Sequence, residues 1–415
     1  MNTVVFLSGS TRGATLEGIG RSLASGFNAF GIEFAEIGLL DSDEFLAKVH
    51  AMDFRTVTLV FSFVSMGMDV LMNRSDGTSF NLWQTLGIPF LSLHGDSPAY
   101  FFDRHVVRDN SVVSLYGFSE HCELRKRLPR INGPVGDVWP IVVDDVPQQE
   151  INFRAKRNGN LIFLKNGKDP EQLRQVWRSV LGRRLLQAIE ELASELEANL
   201  DDPANNQIDD LVTHYFREQG FDVESLIKLR LFFIAQLDDY LRAVKCTNMA
   251  KALMDFPVEI RGNDWGHLDF TGKRAKYIDE CDFTKSTGLI RNSLGIIDMS
   301  PNTSSRPHDR VMRAYGAHTL CLTNKQQFLD ELPHQERLSF QFEKEHFQDR
   351  VADILSHRSD AVEMGIEVAE AYRTLHPTEQ LISKMLDWAS FIRLNSASAR
   401  PAGMQDFFVW PPTRL

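Results

Sequence analysis

The segment richest in chemistry reads Asn302-Thr303-Ser304-Ser305-Arg306-Pro307-His308-Asp309-Arg310-Val311-Met312-Arg313-Ala314-Tyr315-Gly316. Small polar residues just before a helix offer hydroxyls and free backbone amides to a phosphate. Arg306, Arg310 and Arg313 add positive charge beside that amino terminus. The helix dipole already makes this end positive, so clustered cations are unfavourable there without an anion. A diphosphate would supply one. A surface helix with exposed arginines is the structural alternative. Pro307 reads as a first-turn proline.

Three other loops carry groups of interest. Lys165-Asn166-Gly167-Lys168 follows the apolar run Leu161–Leu164, and a lysine there can neutralise a departing diphosphate. Gly262-Asn263-Asp264-Trp265-Gly266-His267 follows another apolar run and could enclose a nucleotide base. Either loop also reads as an ordinary strand-to-helix turn. His94-Gly95-Asp96-Ser97-Pro98 follows Ile88–Leu93, where His94 or Asp96 could act as a general base; Asp96 capping a turn beside a packed His94 is the alternative. The first loop, Ser8-Gly9-Ser10-Thr11-Arg12-Gly13-Ala14-Thr15, lets a backbone approach a ligand at a helix start. It is neither a Walker A loop nor G-x-G-x-x-G. Asp41-Ser42-Asp43 matches the D-x-D of metal-dependent transferases, but it precedes a helical run and reads better as a cap.

The elements that must position these residues alternate in the first third of the chain. Thr3–Leu7, Ile32–Ile37, Thr56–Phe63, Ile88–Leu93 and Ser111–Leu115 are continuous apolar runs, as in strands buried on both faces of a parallel sheet. Helical patterns at Leu16–Phe30 and Glu44–Met52 complete a βαβ rhythm. A Gly/Pro/Asp cluster at residues 133–147 suits a linker. Beyond it, Leu161–Lys165 opens a second sheet and Asp169-Pro170-Glu171 caps a helix. Helical periodicity dominates residues 171–254, with a break near 201–206, and returns from Phe342 to Leu394. Strand-like runs lie at Val258–Arg261, Leu294–Met299 and Thr319–Thr323, and the aromatic stretch within Arg400–Leu415 reads as packed. These patterns predict domains at residues 1–150 and 151–380, with a terminal helix and tail at 381–415 returning to the first.

The 415 residues suffice for two cores, and a formal net charge of -11 argues against a dedicated nucleic-acid binder. Arg125-Lys126-Arg127 and Arg183-Arg184 are short basic clusters that solvated helix faces explain. Cys122, Cys246, Cys281 and Cys321 are far apart, which points to free thiols in a reducing compartment. The start lacks the features of a signal peptide. The expected location is the cytoplasm, with no transmembrane segment and peripheral membrane contact left open.

On these motifs the sequence resembles the GT-B glycosyltransferases of the spore-maturation-protein (CgeB-like) type. A "v-x-i-x-G-x-x-W" strand end is matched by Val258-Glu259-Ile260-Arg261-Gly262-Asn263-Asp264-Trp265, followed by Tyr277. A strand with a small-polar loop matches Leu289–Ser305, and an "R-x-x-E-A-x-x-G" helix matches Arg310–Gly316. In the first half, Leu59–Phe63 and a Gly-Ile-Pro strand leading to Asp-Ser-Pro fit the same pattern. The resemblance implies an α/β GT-B fold: two Rossmann-like domains facing a cleft, with extra helices in the second half.

It further implies transfer of a sugar from a nucleoside diphosphate to an acceptor hydroxyl or similar group, with no metal or other cofactor. The acceptor would be a protein, a glycan or a small molecule. Donor contacts would come from Lys165, Asn166, Gly262, Asn263, Trp265, Tyr277, Asn302, Ser304, Ser305, Arg306, His308, Arg310 and Arg313. Acceptor contacts would come from Gly9, Ser10, Arg12 and Gly13, and the base from Asp96 or His94. One departure stands out. Many GT-B enzymes carry two glutamates eight positions apart, one holding the ribose hydroxyls, where this chain has Ser305 and Arg313. A catalytically inactive binding or scaffold protein of the same fold is therefore the alternative.

Overall fold

In the computed structural model the chain divides into two compact units, Met1–Ile141 with His376–Leu415, and Val142–Leu375. The structure describes residues 2–9, 15–73, 76–106, 111–129, 133–138, 143, 145–278 and 283–399. Within the first unit the strands are β1 (Thr3–Ser8), β2 (Glu33–Gly38), β3 (Val57–Phe63), β4 (Leu71–Asn73), β5 (Ser79–Asn81), β6 (Phe90–His94), β7 (Val112–Tyr116) and β8 (Val135–Asp137). Their main sheet runs β2-β1-β3-β6-β7-β8, every pair parallel. β4 and β5 form a separate antiparallel hairpin that the sequence pattern did not reveal. The apolar runs bury both faces of the central strands: Val4 to Leu7 and Leu59 to Phe61 are almost wholly inaccessible.

The predicted helix Leu16–Phe30 is two helices, Thr15–Ser22 and Ala24–Ala29. Asp41 caps the helix Ser42–Ala51, accepting from the amides of Asp43 (2.9 Å) and Glu44 (3.0 Å), so the D-x-D match is capping chemistry. The last helix, Thr378–Ala399, belongs to this unit: Arg393 donates to the Val57 carbonyl at 2.8 Å, and Trp388 leaves no room for a side chain at Gly136. Residues 400–415, expected to be packed, lie outside the described residues.

The second unit contains β9 (Leu161–Leu164), β10 (Val258–Arg261), β11 (Lys276–Ile278), β12 (Gly295–Asp298), β13 (Leu320–Asn324) and β14 (Ser339–Phe340). They form a parallel sheet in the order β11-β10-β9-β12-β13-β14. Numbered within the unit this is 3-2-1-4-5-6, the Rossmann order, whose direction reverses between β9 and β12. Ligands of such sheets bind outside the carboxyl ends of strands at that reversal.

Between β9 and β10 the chain inserts the helices Pro170–Val180, Arg183–Ala198, Ile208–Glu218 and Ile227–Leu253. Asp169 caps the first, accepting from Glu171 N at 3.0 Å with Pro170 in the first turn. Arg230 and Asp209 meet in a buried two-pronged ion pair at 2.6 Å, and Trp177 donates to Gln236 at 2.8 Å. The last insertion helix has 27 residues, which at about 1.5 Å each gives a rod about 40 Å long. The four residues of β10 span only about 13 Å. Cys246, Met249, Ala250 and Leu253 pack into the core of the sheet. The earlier half therefore stands past the sheet's carboxyl edge. Among the described residues no helix is long and apolar enough to cross a membrane.

Candidate functional site

At the carboxyl edge of the second sheet, the loops after β9 and β10 are locked together. Gly167 N donates to Asn263 O at 2.7 Å, Asn263 N donates to Asn166 Oδ1 at 3.0 Å, and Trp265 Nε1 donates to Lys165 O at 2.9 Å. Gly262 sits at φ +145°, and a Cβ there would lie 2.2 Å from the Lys165 carbonyl oxygen. No side chain fits that approach. Trp265 is buried against Phe163, so it braces the loop and does not present a face to a ligand. Asp264 holds φ +64°, and its side chain is exposed.

These loops and the insertion enclose a cleft of about 860 Å³. Lys165, Asn166 and Lys168 line it from the β9 loop, Asp264 and His267 from the β10 loop, and Asp239, Arg242 and Cys246 from the long helix. Burial, reinforced by the nearby Arg310 charge, lowers the Lys165 ammonium to about 8. Burial likewise raises the Cys246 thiol to about 12, leaving it protonated.

β12 ends in Asp298, which is fully buried and accepts from Arg310 Nε at 2.6 Å. Burial would raise this carboxyl, but Arg310, His308 and Lys165 together hold it below the usual carboxylate range. Asp298 Oδ2, Arg310 Nη2, Thr303 Oγ1, Thr323 Oγ1 and Gln326 Oε1 are all buried without a hydrogen-bond partner among the described residues. Thr323 is the register partner of Asp298 on β13 and Arg310 bonds Asp298, so these three residues share one end of two strands. Among the described residues His94 Nδ1, His105 Nε2, Ser62 Oγ and Ser114 Oγ of the first unit are likewise buried without a partner, so this feature is shared by both sheets.

The other residues predicted at this edge divide by role. Arg306 is buried, and Ser304 and Ser305 are half-buried, so the turn does not face bulk solvent. The helix begins at Asp309 with His308 as its cap residue, placing Pro307 ahead of the cap and not in the first turn. His308 Nδ1 lies 2.5 Å from Asp309 Oδ1. Arg313 is buried and donates to Phe283 O, Ser286 Oγ and Thr287 Oγ1 at 2.7–2.9 Å, with its guanidinium 3.8 Å from the Phe283 ring centre. It ties its own helix to the helix Phe283–Asn292. Asn302 is buried, donating to Asp238 Oδ1 (2.9 Å) and accepting from Lys245 Nζ (3.1 Å), so it anchors the long insertion helix. Tyr277, on edge strand β11, stacks on Phe270.

In the first unit, His94 is 2% exposed. Its Nε2 bonds Ser92 Oγ at 2.9 Å, and its ring lies 4.3 Å from that of His105 and 4.9 Å from that of Tyr116. Burial, with the neighbouring His105 and Arg125 charges, holds His94 well below the ordinary histidine range. Asp96 is exposed at the end of the same strand. Val64 and Ser65, just after β3, both adopt positive φ (53° and 58°), a strained conformation for a β-branched residue. Gly9 abuts Met66: a Cβ at this glycine would lie 2.6 Å from the methionine sulfur. Ser10, Arg12 and Gly13 lie outside the described residues.

Sequence pattern does not single out Asp298, Asp239, Arg242 or Gln172. Asp298 hides at the end of an apolar strand, and the others lie on helices whose polar faces read as solvated. Cys122, Cys246 and Cys321 are buried free thiols, and Cys281 lies outside the described residues. Among the described residues no cluster of His, Cys, Asp or Glu is arranged to hold a metal ion.

No family model matches the sequence, and no curated protein matches it. By structure the chain is similar to an α-glucosyltransferase solved with UDP-glucose and DNA containing an abasic site. The TM-score is 0.51 at 10% identity, over 94% of this chain and 99% of that one. AviGT4, a glycosyltransferase involved in avilamycin A biosynthesis, aligns with a TM-score of 0.47 at 10% identity over 95% of this chain and 98% of that one. T4 phage BGT in complex with UDP-glucose gives 0.47 at 8% identity over 95% and 99%. Of these three, the first alone exceeds 0.5, and at 10% identity it speaks to fold. Together with the two parallel sheets, it shows that the chain has an α/β fold of the GT-B type, built from two Rossmann-like units.

Proposed function

We propose that this protein is a glycosyltransferase that moves a sugar from a nucleoside diphosphate to an acceptor hydroxyl or similar group, without a metal. One observation carries the reading. At the strand-order reversal, burial first and the Arg310 charge second lower the Lys165 ammonium, while Asp298 acts in the opposite direction. Arg310 Nη2 is buried without a partner among the described residues. Asp298 offsets part of the Arg310 charge, and a doubly charged leaving group would offset the positive charge that remains on Lys165 and Arg310. The solved α-glucosyltransferase complex contains UDP-glucose, a donor of this class.

In this reading Lys165 and Arg310 stabilise the departing diphosphate, and Ser304 and Ser305 offer it hydroxyls. Asp298 fixes the guanidinium plane. Asp96 is the better candidate base for an inverting reaction, because His94 is enclosed by its own stack. Arg313 takes no part in donor recognition, since packing uses its guanidinium. The acceptor is a protein, a glycan or a small molecule rather than nucleic acid, consistent with a net charge of -11. The resemblance to the spore-maturation-protein (CgeB-like) type belongs to this proposal.

Lys165→Ala and Arg310→Ala should each lower sugar-nucleotide hydrolysis or transfer by at least about tenfold, as loss of a charged stabiliser does. Unchanged turnover in both would remove their assigned roles. The second reading, an inactive binding protein of the same fold, draws on Arg313 standing where a ribose-binding glutamate is common. Donor binding without turnover against any acceptor would favour it.

A further inference from the structure

The helical insertion does more than enlarge the second unit. Residues 246–253 of its long helix pack on the sheet, while Asp239 and Arg242 lie past the sheet's edge and line the cleft opposite Lys165. Gln172, from the first insertion helix, lines it too. We propose that this wall recognises the uncharged, hydroxyl- or amide-bearing part of a nucleotide sugar whose diphosphate lies at Lys165. The proposal rests on the donor reading above for the position of the diphosphate.

Charge pairing indicates the class of ligand. Lys168 is bonded to Asp239, and Arg242 Nη2 lies 2.9 Å from Asp238 Oδ2. These pairs cancel most of the wall's charge while leaving donors and acceptors in place. Gln172 and Asn166 add amides, which both donate and accept. Such a lining suits hydroxyls or the amide edge of a base better than a second anion. The wall is also fixed in position. Asn302 donates to both the backbone and side-chain oxygens of Asp238, at 3.0 and 2.9 Å, and so ties the helix to the loop after β12. A recognition surface held by buried partners keeps its groups in register with the charged edge. Across the cleft, Asp264 holds a left-handed backbone, a conformation that recurs at ligand clamps.

The test is calorimetric titration of the full chain with UDP-glucose, GDP-mannose and dTDP-glucose. The tightest binder is then compared with its own free nucleoside diphosphate. Gln172→Ala and Asp239→Asn should each raise the Kd at least about fivefold, the scale of one lost hydrogen bond. Arg183→Ala, on the insertion but away from the cleft, should leave it unchanged. Gln172 is exposed at the cleft, so its truncation tests recognition without threatening the fold. Equal weakening of both ligands assigns the wall to the nucleoside; weakening of the sugar nucleotide alone assigns it to the sugar. Either supports the proposal. Wild-type affinity in both wall variants, with binding weakened in Lys165→Ala, would overturn it and leave the donor reading standing. Failure of the wild type to bind any of the three donors would overturn both.

Discussion

The carboxyl edges of the two sheets are built alike and charged differently. In the first unit the edge beyond β6 and β7 is closed by rings and hydroxyls around one buried cation: His94, His105 and Tyr116 stack, Ser65 bonds Ser92 at 2.8 Å, and Arg125 donates to the His105 carbonyl at 3.0 Å. In the second, the edge beyond β9 and β12 gathers ions: Lys165, Arg310 and Asp298 within one electrostatic reach. A parallel sheet supplies the same geometry to both. What differs is what the strand ends and the segments after them carry: rings and hydroxyls around a buried arginine at the first edge, a lysine and an arginine beside a buried aspartate at the second. In the proposed reading the charged second edge holds the donor, and packing occupies most of the first.

The sharpest way to break this contrast is Arg313→Glu, which restores the residue common in GT-B enzymes. It removes three hydrogen bonds and the contact with Phe283 while burying a carboxylate beside the Phe283 carbonyl. Losing these charge-assisted hydrogen bonds and burying a carboxylate without a partner costs about 3 kcal/mol or more, to be read from urea unfolding. A stable variant with tighter donor binding would instead make position 313 part of the site.

Acid probes the first edge. Burial, with nearby positive charges, lowers His105 to about 3, below its unfolded value near 6.5. Between those values the unfolded chain binds the proton and the folded chain does not, so stability is present at high pH and falls as pH drops. The loss is about 2 kcal/mol at pH 5 for this one residue. His105→Asn should flatten that part of the pH profile; an unchanged slope would show that the ring is not held neutral.

Alkali probes the second edge. With Lys165 near 8, the anion-binding form is full below that pH and is lost above it. Nucleotide affinity should therefore fall about tenfold from pH 7 to pH 9, and Lys165→Ala should abolish the dependence. The smallest effect belongs to Asp41→Ala, which removes a helix cap worth about 1 kcal/mol. Thermal unfolding should register it, with donor binding intact. A loss of donor binding would return the D-x-D match to metal chemistry.

Much of the architecture was readable in the chain because both sheets are parallel and buried. Such strands appear as unbroken apolar runs, and Thr3–Leu7 and Thr56–Phe63 lie within a residue of their observed bounds. Short edge elements carried no such mark: β8 and β14 have three and two residues, and the β4–β5 hairpin is partly exposed. The sequence pattern puts the domain boundaries at 150 and 381 with the terminal helix returning to the first domain; the units divide at 141 and 376, where the Gly/Pro/Asp cluster and the start of the last helix leave the exact boundary to packing. At the site, Lys165, just after an apolar run, and Arg310, in the first turn of a helix, could be named as candidates from their place in the chain. Their electrostatic partner Asp298 could not, since an aspartate ending a strand looks like a turn residue until its neighbour on the next helix is known. Equally, no one-dimensional pattern shows that Trp265 and Arg313 are spent on packing.

The most direct measurement is a crystal structure of the protein with UDP. A diphosphate held by the charged edge predicts phosphate oxygens within about 3 Å of Lys165 Nζ and of Arg310 Nη2, the range of charge-assisted hydrogen bonds. A nucleotide bound at the carboxyl edge of the first sheet, with Lys165 and Arg310 untouched, would contradict it.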